Sequence, residues 1–146
     1  KKLKKVMKLR EWSIKMKARL EELAVQIEQE ILETGTLVVK GIEVRKSNSG
    51  NNLYTGLCQT AVGKLKELAP DLEMRYVAFQ INNGKHQMVK DTHAIAEVIT
   101  AEGNFIVDPT IKQYLPEAKM VYAPGEEYPL IAVRGTMKEL PLQNYQ

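Results

Sequence analysis

The run from Leu3 to Glu33 contains neither glycine nor proline, and it is the feature that most constrains the fold of this chain. Its apolar residues recur every three or four positions, which is the period of one face of an α-helix. These residues are Trp12, Met16, Leu20, Leu23, Ile27 and Ile31. Gly35 follows as a helix stop. The pattern predicts a long N-terminal helix whose apolar face, Trp12 included, packs on the rest of the chain.

The residues after this helix predict one further helix and several strands. We expect a strand rich in β-branched residues over 36–44, bent at Gly41, and then a polar loop over 46–52. A helix from about Thr55 to Ala69 follows, with Thr55 able to cap it and Pro70 ending it. Turn-forming residues then separate strands over 75–81, 93–100, 104–107, 119–123 and 130–134. Helices followed by consecutive strands predict an α+β fold with an antiparallel sheet.

Charge divides the chain into two parts. Of 146 residues, 44% are hydrophobic and 27% charged, which is typical of a single globular domain. Residues 1–20 contain nine lysines and arginines, but Glu11 is their only acidic residue. We therefore expect a basic helical arm over 1–35 and a folded domain over 36–146. Aromatic residues are not interleaved with the basic ones, so dedicated nucleic-acid binding is not expected. No apolar run is long enough for a transmembrane segment.

Cys58 is the only cysteine, so the fold cannot depend on an intramolecular disulfide and its thiol is compatible with a reducing cytosol. It falls in the first turn of the predicted second helix, where unpaired backbone N–H groups and the helix dipole favour a thiolate. A lone cysteine is, however, more often a small buried residue than a nucleophile. Both interpretations stay open on this residue alone.

A histidine and an acid follow Cys58 on two predicted neighbouring strands. His93 opens one strand and Asp108 ends the next, giving a nucleophile, a base and an orienting carboxylate in chain order. With a strict two-residue turn at Glu102-Gly103, Asp108 would lie opposite Glu97, roughly 13 Å along the sheet from His93. A catalytic triad therefore predicts a four-residue turn, or a bulge at Gly103.

Three short segments carry a resemblance to a known superfamily. Gly56-Leu-Cys58-Gln, His93-Ala-Ile-Ala-Glu-Val-Ile and Gly103-Asn-Phe-Ile-Val-Asp108-Pro-Thr110 resemble the core of papain-like proteins, which include transglutaminases, arylamine N-acetyltransferases and bacterial papain-fold toxin domains. The similarity is greatest to the toxin domains, including glutamine deamidases, and it covers about residues 50–125. It implies a papain-like domain in which the second helix bears the cysteine and packs on the sheet.

The resemblance implies a role for each matching residue. Cys58 would be the nucleophile, His93 the base and Asp108 the orienter, in an acyl-transfer reaction on an amide. The oxyanion hole would combine the Cys58 backbone N–H with a side-chain amide, for which Gln113 and Asn52 are the candidates. Asn52 stands where papain-type proteases have glutamine, which disfavours a direct protease assignment.

The implied function is glutamine deamidation by a bacterial toxin or effector domain. Such a domain would be secreted or delivered into a reducing cytosol, with a protein substrate in the target cell and a cognate immunity protein; otherwise a cytoplasmic location is expected. The same triad could instead serve a cysteine protease or a transglutaminase. Outside enzymes, the alternative is an interaction module that uses the basic N-terminal helix while Cys58 is a core residue.

Two further residues have competing interpretations. Glu97 lies on the predicted face of His93, where it is either a second partner of the imidazole or a residue of the polar sheet edge. His86 lies in a polar loop and is expected to be solvated. Neither His86 nor the triad residues have close metal-ligand spacing, so no metal or other cofactor is expected.

Overall fold

The computed structural model of the chain describes residues 2–46, 56–82, 90–130 and 137–140. It is α+β, with a long N-terminal helix, a second helix and antiparallel sheets, as the sequence predicts. The helices are α1 (Lys2–Thr34) and α2 (Cys58–Leu68). The strands are β1 (Thr36–Val39), β2 (Ile42–Arg45), β3 (Met74–Asn82), β4 (Lys90–Thr100), β5 (Gly103–Val107), β6 (Val121–Tyr122) and β7 (Met137–Leu140). A short 3₁₀ helix spans Ile111–Gln113 between β5 and β6.

The predicted apolar face of α1 packs into the core. Leu20 and Ile31 are completely buried, and Trp12 is partly buried against the same cluster. Gly35 ends the helix with a positive φ of 69° while its N–H donates to the Ile31 carbonyl, as a C-terminal glycine does. The second half of α1 is thus part of the core, and the division at residue 35 stays a prediction. No helix in the described ranges has an apolar stretch sufficient to cross a membrane.

The segment after α1 is a hairpin rather than the single bent strand that the sequence predicts. Strands β1 and β2 pair antiparallel, with Val39 opposite Ile42. Between them Lys40 and Gly41 have φ values of 51° and 77°. Two successive positive φ angles produce the tight turn that matches the twist of paired strands, so the chain reverses here.

The second helix begins at Cys58 and ends two residues before Pro70. It is shorter than predicted at its N-terminus, where Leu57 precedes it without a side-chain cap, and the predicted cap Thr55 lies outside the described residues. Its buried face includes Ala61, Val62 and Leu65, which lie in the same cluster as the buried residues of α1. The helix contacts α1, β1 and β4.

The larger sheet has the strand order β6-β5-β4-β3-β7, and every adjacent pair is antiparallel. Ala94 and Ala96 belong to the cluster that contains α1 and α2, whereas Ile95 belongs to a second cluster with Val77 and Tyr128. This alternation along β4 places the two clusters on opposite faces of the sheet. The strand predicted over 130–134 lies mostly outside the described residues, and β7 was not predicted.

Candidate active site

The β4–β5 hairpin brings the predicted acid to the predicted base. Thr100 pairs with Gly103 across a two-residue turn, one position earlier than the turn considered from the sequence. Continuing this register, Asp108 falls opposite Ile95, two residues from His93 on the same face. Such diagonal neighbours can reach one another. The expectation of a bulge or a four-residue turn is therefore wrong, because moving the tight turn by one residue supplies the required shift.

Gly103 is essential to this turn for two reasons. Its φ is +124°, a conformation that residues with a side chain rarely adopt. A Cβ built at this position would also lie 2.8 Å from the Cβ of Pro124, which is closer than two carbons can approach. The glycine therefore helps to set the register that carries Asp108 to His93.

Asp108 is buried and accepts hydrogen bonds from three different groups. Its Oδ2 lies 2.7 Å from Nε2 of His93, and both side chains are completely buried. The hydroxyl of Tyr128 donates to the same oxygen at 2.5 Å. The Thr110 N–H donates to Oδ1 at 3.3 Å. With donors on both oxygens, the carboxylate is held in one orientation toward the imidazole.

Tyr128 is a site residue that the sequence reasoning missed. It lies 20 residues beyond Asp108, and no local pattern connects the two. Burial, together with the Asp108 carboxylate, raises the pKa of Tyr128 far above its usual range, so the hydroxyl keeps its proton and remains a donor. Its ring packs edge-on against Phe79 and Tyr122, with centroid distances of 6.2 and 5.3 Å.

Cys58 joins the site from the first position of α2, where its side chain is close enough to His93 to help raise the pKa of the imidazole. Because Nε2 of the imidazole is directed at Asp108, Nδ1 is the ring nitrogen left for the sulfur. The structure thus brings the three predicted residues together in the order thiol, imidazole and carboxylate.

The surroundings of His93 determine its charge. Burial of the imidazole lowers its pKa, but the negative charge of Asp108 and its hydrogen bond, together with Cys58, outweigh burial and raise the pKa to about 9. The raised pKa favours the protonated imidazole at neutral pH, and its Nε2–H donates to Asp108. Phe79 and Tyr114 pack edge-on against the ring at centroid distances of 5.6 and 5.0 Å.

Gln113 lies beside Nδ1 of the imidazole. Its Nε2 is 3.5 Å from Nδ1 of His93 and donates to the Thr110 hydroxyl at 3.2 Å. The short 3₁₀ helix that follows Asp108 places this amide beside the site. Gln113 is thus available as an oxyanion donor, whereas the other candidate, Asn52, lies outside the described residues.

Other residues named from the sequence lie elsewhere. Glu97 pairs with Arg75 of β3 at 2.8 Å and accepts from the side-chain amide of Asn104 of β5 at 2.7 Å, so these contacts join it to the two neighbouring strands. His86 lies outside the described residues. Trp12 lines an open groove beside the β4–β5 turn that none of the triad residues lines. Within the described ranges, no group of three or more His, Cys, Asp or Glu side chains could hold a metal ion.

Comparisons with protein-family models, curated proteins and solved structures found no match to this chain. A papain-like assignment therefore remains a proposal, supported by the geometry of Cys58, His93 and Asp108.

Proposed function

We propose that this chain is a thiol-dependent acyl-transfer enzyme of the papain-like type that attacks an amide, most specifically a glutamine deamidase. The observation that carries the proposal is that one buried imidazole, His93, hydrogen-bonds to Asp108 and has Cys58 as a neighbour that helps raise its pKa. Burying an imidazolium carries a desolvation cost, and a cysteine that only fills space in the core does not require a charged neighbour. Strongly shifted histidines beside a nucleophile are typical of catalytic sites.

In the first step, the Cys58 sulfur attacks the carbonyl carbon of the substrate amide. A carbon–sulfur bond forms, and the carbonyl π electrons move onto oxygen. The backbone N–H of Cys58, at the start of α2, and the side-chain amide of Gln113 are the proposed donors to this oxyanion. The attacking form in this proposal is the thiolate paired with the His93 imidazolium.

In the second step, the carbon–nitrogen bond breaks. His93 transfers its proton to the nitrogen, ammonia leaves, and a thioester to Cys58 remains. The neutral imidazole then accepts a proton from water as the water oxygen attacks the thioester. The carbon–sulfur bond breaks, which leaves a glutamate side chain on the target protein and regenerates the Cys58 sulfur, while Asp108 and Tyr128 hold the imidazole in position.

The proposed biological setting is a bacterial toxin or effector domain that acts on a protein of the target cell. Its support is the resemblance of the segments around Cys58, His93 and Asp108 to papain-fold toxin domains, together with a free thiol that suits a reducing cytosol. A cognate immunity protein belongs to the same proposal.

Intact-mass spectrometry of candidate target proteins tests the reaction. Deamidation adds about 1 Da without cleavage, whereas proteolysis gives fragments and transamidation gives crosslinks, although all three pass through a thioester. We expect the 1 Da gain with the native chain and none with Cys58→Ala. Fragments or crosslinks that require Cys58 would replace the deamidase with a protease or a transglutaminase.

The same assay separates the enzyme from an interaction module. Replacing Lys2, Lys4 and Lys5 with glutamine should leave turnover nearly unchanged, because charges beyond a Debye length of about 8 Å are screened from the thiol. A toxic or binding activity that survives Cys58→Ala but is lost with the lysines would favour the basic helix as the functional surface. Circular dichroism should confirm that each variant is folded.

A further inference from the structure

Helix α1 carries a second apolar stripe on the side opposite its core-facing residues. The stripe residues lie four or seven positions apart, which is one or two helical turns, so they keep to one face of the helix and can form the seam of a helix pair. They are Leu3, Met7, Ile14, Ala18, Val25 and Leu32. Leu3, Ile14 and Met7 are 73%, 68% and 56% exposed, and Val25 and Leu32 are 40% and 47% exposed. The chain leaves this seam without a partner of its own among the described residues.

Charge along α1 reverses at its middle. Residues 2–19 contain eight lysines and arginines and one glutamate, whereas residues 20–34 contain five glutamates and no basic residue. Two such helices packed in parallel would bring like charges together. Packed antiparallel, each basic half would lie beside the acidic half of the other helix.

The same reversal argues against a membrane surface as the occupant of the stripe. An anionic membrane attracts the basic half but repels the acidic half. The stripe nevertheless continues through the acidic half as far as Val25 and Leu32. A second α1 helix matches both the apolar residues and the charges along the full length.

The charges beside the stripe define a specific register. Lys4, Lys15, Glu22 and Glu33 lie along one edge of the stripe, separated by two or three helical turns. In an antiparallel pair, Lys15 meets Glu22 of the other copy, and Lys4 meets Glu33. Within the described part of the chain, none of these four side chains makes an ion pair, so they are available across such an interface.

We propose that α1 forms an antiparallel dimer interface with a second copy of this chain. The two-fold axis passes close to Ala18, whose small side chain allows the helices to approach closely. The apolar stripes form the seam, and the Lys4–Glu33 and Lys15–Glu22 pairs each occur twice. This interface is independent of the proposed chemistry at Cys58.

Sedimentation velocity of the 146-residue chain over a range of concentrations tests the seam. We expect a concentration-dependent dimer whose dissociation constant rises at least about tenfold in Ile14→Glu, because the change places a charge in the apolar contact. Ile42→Glu is the matched control, since Ile42 is 67% exposed on β2, outside the stripe. A wild-type chain that is monomeric at all concentrations, or equal effects of the two changes, would overturn the proposal.

Charge reversal tests the antiparallel register. Lys15→Glu and Glu22→Lys should each weaken the dimer, and the double variant should restore it, because the two residues meet across the interface. Failure of the double variant to recover would rule out this register. Co-sedimentation with vesicles of phosphatidylcholine and phosphatidylserine tests whether a membrane surface binds the stripe instead. A monomeric chain that binds these vesicles, and loses binding in Ile14→Glu, would overturn the dimer in favour of a membrane surface.

Discussion

Nε2 of His93 lies 2.7 Å from Oδ2 of Asp108, and both side chains are completely excluded from solvent. Burial alone would lower the pKa of the imidazole, and the carboxylate is the main group that raises it to about 9. The proton on His93 at neutral pH therefore depends on Asp108.

Replacing Asp108 with asparagine should lower the pKa of His93 well below about 9, because the carboxylate is the main group that opposes the effect of burial. A larger fraction of the imidazole would then be neutral at pH 7, and turnover should fall by roughly 10³–10⁴, as when the orienting acid of a triad is removed. NMR titration of the ring nitrogens measures the shift, and a His86→Gln background leaves His93 as the only histidine. A pKa that stays near 9 would contradict this role of Asp108.

The same variant should change the pH dependence of stability. A folded-state pKa raised from 6.5 to about 9 contributes stability that is fully present below pH 6.5 and is lost as pH rises through 9. Urea unfolding should therefore show the wild type losing stability between pH 6.5 and 9, and Asp108→Asn losing less over this window. Parallel curves for the two proteins would be inconsistent with the ion pair.

Tyr128→Phe keeps the aromatic ring but removes one of the donors to Asp108. We expect a loss of roughly 1.5–3 kcal/mol in the free energy of unfolding, as for a hydrogen bond to a charged group. Tyr122→Phe is the matched control, because the Tyr122 ring packs edge-on against Tyr128 and its hydroxyl is not a donor to Asp108. Equal losses from both changes in chemical denaturation would show that the Tyr128 hydroxyl does not stabilise the carboxylate.

Gln113→Ala should lower kcat by about 10²–10³ with little effect on KM, if the amide donates to the oxyanion only in the transition state. Lys112→Ala is the control, since Lys112 belongs to the same 3₁₀ helix but pairs with Glu28 of α1 at 2.9 Å. Steady-state kinetics on the amide substrate separate the two parameters. An unchanged kcat would remove Gln113 from the oxyanion hole.

Gly103→Ala should destabilise the chain by more than Gly35→Ala does. Both glycines have positive φ, which alone costs of order 1–3 kcal/mol for a residue with a side chain. Only the Cβ at position 103 would also overlap Pro124, because nothing lies within 4 Å of a Cβ at position 35. Thermal unfolding compares the two variants, and similar losses would show that the β4–β5 turn relaxes around the added methyl group.

Local patterns predicted the elements of this fold better than their junctions. Helix α1 was predictable because its apolar residues recur at helical spacing without interruption up to Gly35. The β1–β2 turn was missed because Lys40 adopts a positive φ, a conformation that a lysine in the sequence does not predict. The order of Cys58, His93 and Asp108 was visible along the chain and suggested the site.

The geometry of that site depended on features that no sequence pattern supplies. The contact between Asp108 and His93 depends on which two residues form the preceding turn. Shifting that turn by one residue changes the residue opposite Asp108 by two positions along β4. Tyr128 reaches Asp108 from a separate segment, so its role follows only from the folded chain.

The rate at which iodoacetamide alkylates Cys58 at pH 6, followed by intact-mass spectrometry, tests the central claim most directly. Because the neighbouring His93 is an imidazolium at this pH, the account predicts that the folded chain reacts at least about tenfold faster than N-acetylcysteine. It also predicts that His93→Gln removes this advantage while the chain remains folded. Alkylation of Cys58 only after denaturation, or an equal rate in His93→Gln, would identify it as a buried structural thiol and contradict the account.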